Sequence, residues 1–309
     1  MAKKSLLAKE MANGYGLTEW RKNGLPNGYF PHWEFNVYGN VMSDRFIRMF
    51  NRGSGGELDR KACAVHSSSM LAYNFFHWIN GDHPLELTFD SKALTFSHVF
   101  FEIRMIPLGL STSKKSPANM DVMLMSEDGR DVLMLESKLL EYTENRSYEL
   151  KMPESYLDEG KYCKSTDAAY WKKVITTFQA QNNGCAAPRY FAGIKQNLCH
   201  LIAIDNLIFR DQDALKFLME ENDGLQLNPD ANIIYKTLLF KPDEGRFKDE
   251  SSAYNDYQCL ILNNLNSSLP NHKVGMISYS DLWRQARCQM NDDLQAFLEH
   301  RYMQFANPS

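Results

Sequence analysis

Three residues set the chemistry this sequence could perform: Asp121, Glu136 and Lys138. Two carboxylates can hold a hard divalent cation, and an amine beside them can carry a proton or meet a developing negative charge. Their mutual placement follows from a hairpin. Residues 119–126 and 131–140 read as strands joined by Glu127-Asp128-Gly129-Arg130, and Asp-Gly between two apolar runs is a strong hairpin signal. With Asp128 and Gly129 at the centre of the turn, Glu127 pairs with Arg130. Counting outwards, Met125 faces Val132, Met123 faces Met134, and Asp121 faces Glu136. Directly opposed side chains have Cβ atoms about 4.5–5.5 Å apart. Lys138 lies two residues beyond Glu136 and so points to the same face.

The elements around these residues decide whether that face is wet. Met123, Met125, Val132 and Met134 share it, while Val122, Leu124, Leu133, Leu135 and Leu139 occupy the other. Both faces are apolar, so the hairpin belongs inside a sheet rather than at a solvated edge. Three ionisable groups at one end of such a hairpin are costly unless they pair or bind metal. A salt-bridge cluster around Lys138 is the plain alternative to a metal site, and a one-residue slip of the turn would undo the pairing.

Upstream, residues 67–80 read as a helix capped by Ser67, Ser68 or Ser69, with Leu71, Phe75, Trp78 and Ile79 on one stripe and Gly81 as its stop. Residues 98–108 read as a strand. Downstream, 141–166 is a polar stretch with an acidic bias, read as a loop. Residues 167–182 and 189–204 are expected helices, the second burying Ile194, Leu198, Leu201 and Ile202. Residues 231–240 read as a strand. A final helix is expected at 281–302, with Leu294, Phe297 and Leu298 on one side. Residues 1–56 are rich in Gly, Asn and aromatics and end in Arg52-Gly53-Ser54-Gly55-Gly56, so they read as an irregular N-terminal extension to one domain over 57–309. Helix, three strands, helix, strand is an α/β order.

Asp121 followed fifteen residues on by Glu136-Ser137-Lys138 at a strand end resembles the PD-(D/E)XK motif of restriction-endonuclease-like nucleases. The proline is displaced: the run here is Asn119-Met120-Asp121, with Pro117 further back. The run Leu135 to Tyr142, the serine-rich helix start Ser67 to Phe76, and Phe101-Glu102 on the first strand are similar to a bacterial restriction-endonuclease-like subgroup. The resemblance covers residues 55 to 280. It implies a mixed central β-sheet flanked by helices in the order αβββαβ, and a metal-dependent endonuclease acting on DNA, of restriction or defence type. It further implies Mg2+ (or Mn2+) held by Asp121, Glu136 and the Ser137 carbonyl, with Glu102 a candidate additional ligand. Lys138 would hold or deprotonate the attacking water. Gln196 matches a polar helix residue that the family places near the site, with His200 one turn on. Glu57 is a weaker candidate near the first helix; His66 and Glu141 read as structural. A homodimer would supply two sites for cutting both strands, and a methyltransferase is a candidate partner. The reading from another class is a non-catalytic nucleic-acid-binding protein on the same fold.

Composition bounds these readings. With 309 residues, 44% of them hydrophobic, the chain can bury a large core. Its net charge of -4 counts against a uniformly basic nucleic-acid binder and leaves DNA contact to local basic groups. Candidates are Lys114 and Lys115, and Lys161, Lys164, Lys172 and Lys173 interleaved with Tyr162, Tyr170 and Trp171, although a solvated helix face is the ordinary role for such lysines. The six cysteines form no CxxC pair, and the eight histidines show no HxxxH spacing, so a zinc site of that kind is not expected. No apolar run reaches membrane-spanning length, and no signal-peptide stretch follows the basic start. A cytoplasmic protein is therefore expected. No P-loop or dinucleotide fingerprint is present; the glycines at 53–56 lack the GK[ST] ending.

Overall fold

The Asp-Gly turn closes as its residue types require. Gly129 takes a left-handed φ of 67°, which glycine adopts without steric cost. Ser126 Oγ donates to Asp128 Oδ1 at 2.8 Å and accepts from the Asp131 N–H at 3.0 Å. The strands on either side, β4 (Ala118–Met125) and β5 (Asp131–Lys138), pair antiparallel in the expected register, with Met125 opposite Val132 and Met123 opposite Met134.

The computed structural model describes residues 5–15, 28–52, 57–89, 91–113, 117–143, 152–182, 191–259 and 275–306. Strands β1 (Leu85–Phe89) and β2 (Lys92–Phe96) form a small antiparallel hairpin of their own. The main sheet adds β3 (His98–Met105), β6 (Asn232–Leu239) and β7 (Gly275–Ser278), in the order β3-β4-β5-β6-β7. β3 runs antiparallel to β4, whereas β6 is parallel to β5 and β7 parallel to β6. The helices are α1 (Leu6–Gly14), α2 (Asp44–Arg52), α3 (Ser68–Phe76), the single turn α4 (Leu110–Ser113), α5 (Ala168–Asn182), α6 (Phe191–Ile208), α7 (Gln212–Glu221), α8 (Lys248–Cys259), α9 (Tyr279–Ala286) and α10 (Asp292–Arg301). A mixed sheet flanked by helices is the expected α/β architecture, with a restriction-endonuclease-like core.

Each face of the sheet has its own apolar layer. Val122, Leu124, Leu133 and Leu135 pack with Leu71 and Phe75 of α3, Phe46 and Phe50 of α2, and Leu294 and Leu298 of α10. Met123, Val132 and Met134 pack with Trp171, Ile175 and Phe178 of α5 and Leu198, Leu201 and Ile202 of α6. The division of the hairpin residues between faces is the one their alternation predicted.

That alternation reverses in one place. On β3, Val99 and Phe101 enter the first layer, but Ile103 and Met105 enter the second. On β4, Val122 and Leu124 enter the first layer, and Ala118 and Met120 the second. The ladder runs from Phe101↔Val122 to Ile103↔Met120, passing over Glu102 and Asp121, and Glu102 has a φ of 50°. A left-handed backbone costs a non-glycine residue roughly 1–2 kcal/mol. Both strands therefore flip their pleat together, at the two acidic positions.

Three expectations are corrected. The first 56 residues hold helices among the described residues. Leu7, Met11, Phe46 and Phe50 from α1 and α2 belong to the core, so the segment is not an irregular extension. Phe46, Met49 and Phe50 carry helical spacing, but glycine and asparagine on both sides masked it. The final helix is two: α9 begins with a Ser278–Asp281 capping box, and α10 restarts where the Asn291 side chain accepts from the Leu294 N–H at 2.8 Å. An internal cap offers an exit that the apolar stripe does not reveal. The loop read over 141–166 contains short 3-10 turns at 141–143, 154–156 and 159–161.

Candidate active site at the splayed end of the hairpin

The β4–β5 ladder stops at Val122↔Leu135. One step further the strands part, and a side chain replaces the missing backbone bond: Asp121 Oδ2 accepts from the Ser137 N–H at 2.7 Å. Asp121 and Glu136 thus sit at the open end of the hairpin, at the reversal described above. Glu136 is fully buried (0%) on the α5–α6 side, as its parity with Val132 and Met134 requires. Lys138 Nζ donates to Glu136 Oε1 at 2.5 Å and to Gln196 Oε1 at 3.0 Å. The Lys138 side chain keeps 12% exposure, so the cluster touches solvent through the lysine and the partly exposed Asp121.

Burial dominates the electrostatics. It pushes the Asp121 carboxyl well above the ordinary range, and the charge of Glu136 pushes the same way; Lys138 and the Ser137 N–H pull back. Glu136 is likewise raised by burial, against the pull of Lys138. Burial alone would lower Lys138, but Glu136, Glu141 and Asp121 together outweigh it and raise the ammonium above its usual range. Lys138 is therefore a cation here, suited to orienting water and meeting negative charge.

Of the other expected residues, Gln196 is at the site, through Lys138. Ser137 contributes its N–H, whereas its hydroxyl points to the opposite face, bonding the Ser68 carbonyl at 3.1 Å and Tyr279 Oη at 2.8 Å. Glu102 is buried and lies across from Asp121 in the β3–β4 register. Glu141 ties the turn after β5, accepting from the Leu139 and Leu140 N–H groups at 2.7 and 3.0 Å and from Ser68 Oγ. His66 packs edge-on against Tyr29. The Glu57 side chain, Lys114 and Lys115 lie outside the described residues. Of the aromatics interleaved with the downstream lysines, two are turned inward and only Tyr170 is partly exposed. Trp171 is buried and donates to Asp205 Oδ2 at 2.9 Å, and Tyr162 is buried and donates to the Tyr156 carbonyl at 2.8 Å.

Two groups carry more than their sequence signals promised. His200, one turn beyond Gln196 on α6, bonds the Asn119 carbonyl through Nε2 at 2.9 Å and places Nδ1 3.5 Å from Glu136 Oε2. Burial and the charge of Lys138 push its pKa down to about 3, so the ring is neutral near pH 7. Asn197 beside it accepts from Tyr235 Oη at 2.6 Å and Thr237 Oγ1 at 3.1 Å, anchoring α6 to β6 under the site. The available signal was the polar pair Gln196 and His200 at i, i+4, off the apolar stripe of the helix.

A model of the family described as restriction endonuclease associating with ARP matches residues 7–303. The chain belongs to this family. The match spans α1 through α10 and so includes both apolar layers and the hairpin end. No curated protein and no solved structure matches the chain. Among the described residues, no helix is long and apolar enough to cross a membrane.

Proposed function

We propose that this family member is a metal-dependent endodeoxyribonuclease of the PD-(D/E)XK type, cutting DNA in restriction or defence. The observation that carries the reading is the convergence of Asp121, Glu136, Lys138 and Gln196 at the one place where the central hairpin opens. A cluster serving only stability would be expected to satisfy its own atoms, yet Glu136 Oε2 is buried without a hydrogen-bond partner.

The donor set fits a hard cation. Desolvation at the site resists the charge of both Asp121 and Glu136, and a divalent ion supplies the missing positive charge. Among the described residues, no three His, Cys, Asp or Glu side chains stand in place to share one ion. Two carboxylates, the Ser137 carbonyl and open positions for water and phosphate make a set of the kind Mg2+ or Mn2+ accepts. Such an ion, when bound, stabilises charge on the phosphate and the leaving oxygen. Ser137 N–H fixes the Asp121 carboxylate. Gln196 and Glu136 hold the Lys138 ammonium, which orients the attacking water and meets the phosphate. Glu102 is the candidate for a further ligand. DNA is the substrate in this reading. A homodimer, a methyltransferase partner, the association with ARP named for the family, and a cytoplasmic location belong to the same proposal.

The test is cleavage of unmethylated phage and plasmid DNA with Mg2+, with EDTA, and with Lys138→Ala. Cutting that depends on Mg2+ and is lost in both controls is expected. Cutting that survives Lys138→Ala, or no cutting together with no divalent-metal binding, rejects the assignment.

A further inference from the structure

His200 and Glu136 meet in an arrangement that their own atoms do not complete. The Asn119 carbonyl can only accept, so the 2.9 Å contact makes His200 Nε2 the donor. In a neutral ring Nδ1 then carries a lone pair, and it faces Glu136 Oε2 at 3.5 Å. Both atoms are buried and neither has a hydrogen-bond partner. The two side chains are 1% and 0% exposed. Two acceptors facing each other away from water cost free energy unless a proton or a metal ion lies between them.

We propose that His200 Nδ1 is a nitrogen ligand which, with Glu136 Oε2, clamps a first-row transition ion at this site. The inference rests on the metal-dependent reading above and names which ion the site prefers. Three features support it. A ligating histidine usually donates its other ring N–H to a carbonyl or carboxylate, which fixes tautomer and orientation; the Asn119 carbonyl does this. Nitrogen and oxygen donors bind such ions at about 2.0–2.2 Å. Donors 3.5 Å apart then subtend roughly 110° at a shared ion, an ordinary ligand angle. Imidazole favours transition ions over Mg2+, which takes oxygen donors. The site is a two-side-chain clamp centred on Glu136, whose other oxygen, Oε1, faces Lys138.

The experiment is Mn2+ binding to the full-length protein, followed by calorimetry and by pulsed electron paramagnetic resonance. Wild type is expected to bind Mn2+ more tightly than Mg2+ and to show 14N coupling from a directly bound nitrogen. In protein labelled with 15N-histidine the coupling should change to the 15N pattern. His200→Gln should weaken Mn2+ binding about 10- to 100-fold and Mg2+ binding less. Mn2+ bound without nitrogen coupling, or with coupling unchanged by 15N-histidine, overturns the ligand role while leaving the nuclease reading intact. The label experiment uses the wild-type fold, so it decides the question even if His200→Gln does not fold. Wild type that binds neither Mn2+ nor Mg2+ rejects both readings.

Discussion

Lys138→Met removes one charge from a buried pair while keeping most of the side chain's volume. The pair is close, with Nζ 2.5 Å from Glu136 Oε1, and dry, with side-chain exposures of 12% and 0%. Breaking such a pair costs about 3–5 kcal/mol when the remaining charge stays in place. Glu136 has an escape, because burial already raises its carboxyl and the lysine is the first force opposing that rise. Asp121 is raised by burial in the same way. In the variant both folded pKa values climb further above the unfolded carboxylate values near 4. The folded state then binds more protons than the unfolded state, so stability is full below about pH 4 and is lost as pH rises through the raised folded values. Near pH 4, at the unfolded carboxylate values, the variant should unfold closest to wild type. Near pH 8 it should be about 3 kcal/mol less stable, which at about 2 °C per kcal/mol for a chain of this size lowers Tm by roughly 6 °C. Thermal unfolding in EDTA at the two pH values measures this, and added Mn2+ should restore part of the loss at the higher one. A Tm drop of equal size at both pH values would refute the argument that the lysine exists to neutralise Glu136 and Asp121.

Gly129→Ala tests the turn. A Cβ there would meet its nearest neighbour, Asn228 Cβ, at 3.5 Å, so there is room, and the cost is the left-handed φ of 67° alone. A loss of about 1–2 kcal/mol in denaturant unfolding is expected, and an unchanged midpoint would count against the turn geometry. Glu141→Ala removes the acceptor for two backbone N–H groups and for Ser68 Oγ. It should cost about 1 kcal/mol of stability while Mg2+-dependent cutting persists at a temperature where the variant is folded. Abolished cutting in a folded variant would make Glu141 part of the chemistry.

Local information carried the hairpin. A turn of known residue count, a period of two and apolar residues on both faces were enough to place Met123 against Met134 and to divide the two core layers. The same arithmetic put Asp121 against Glu136, and the pairing there is more indirect. The ladder ends one pair earlier, and the Asp121 carboxylate reaches the Ser137 N–H instead. No periodicity argument anticipates the joint reversal at Glu102 and Asp121, because each strand could keep its pleat if the other did. The N-terminal helices were obscured for a different reason. Their apolar residues lie in short stretches beside glycine and asparagine, and they are held as helices by burial in the first apolar layer.

By itself, the sequence determined an α/β order, the register of the central hairpin and the convergence of Asp121, Glu136 and Lys138, since all three follow from short-range geometry. Only the tertiary structure decided what surrounds them. Gln196 and His200 lie some sixty residues beyond Lys138 in the chain, and spacing on a helix shows which residues share a face without showing what that face meets. Docking α6 across β4, with Asn197 held by Tyr235 and Thr237, turns Gln196 onto Lys138 and His200 onto Glu136. It also leaves Glu136 Oε2 and His200 Nδ1 facing each other 3.5 Å apart, which neither strand nor helix could do alone.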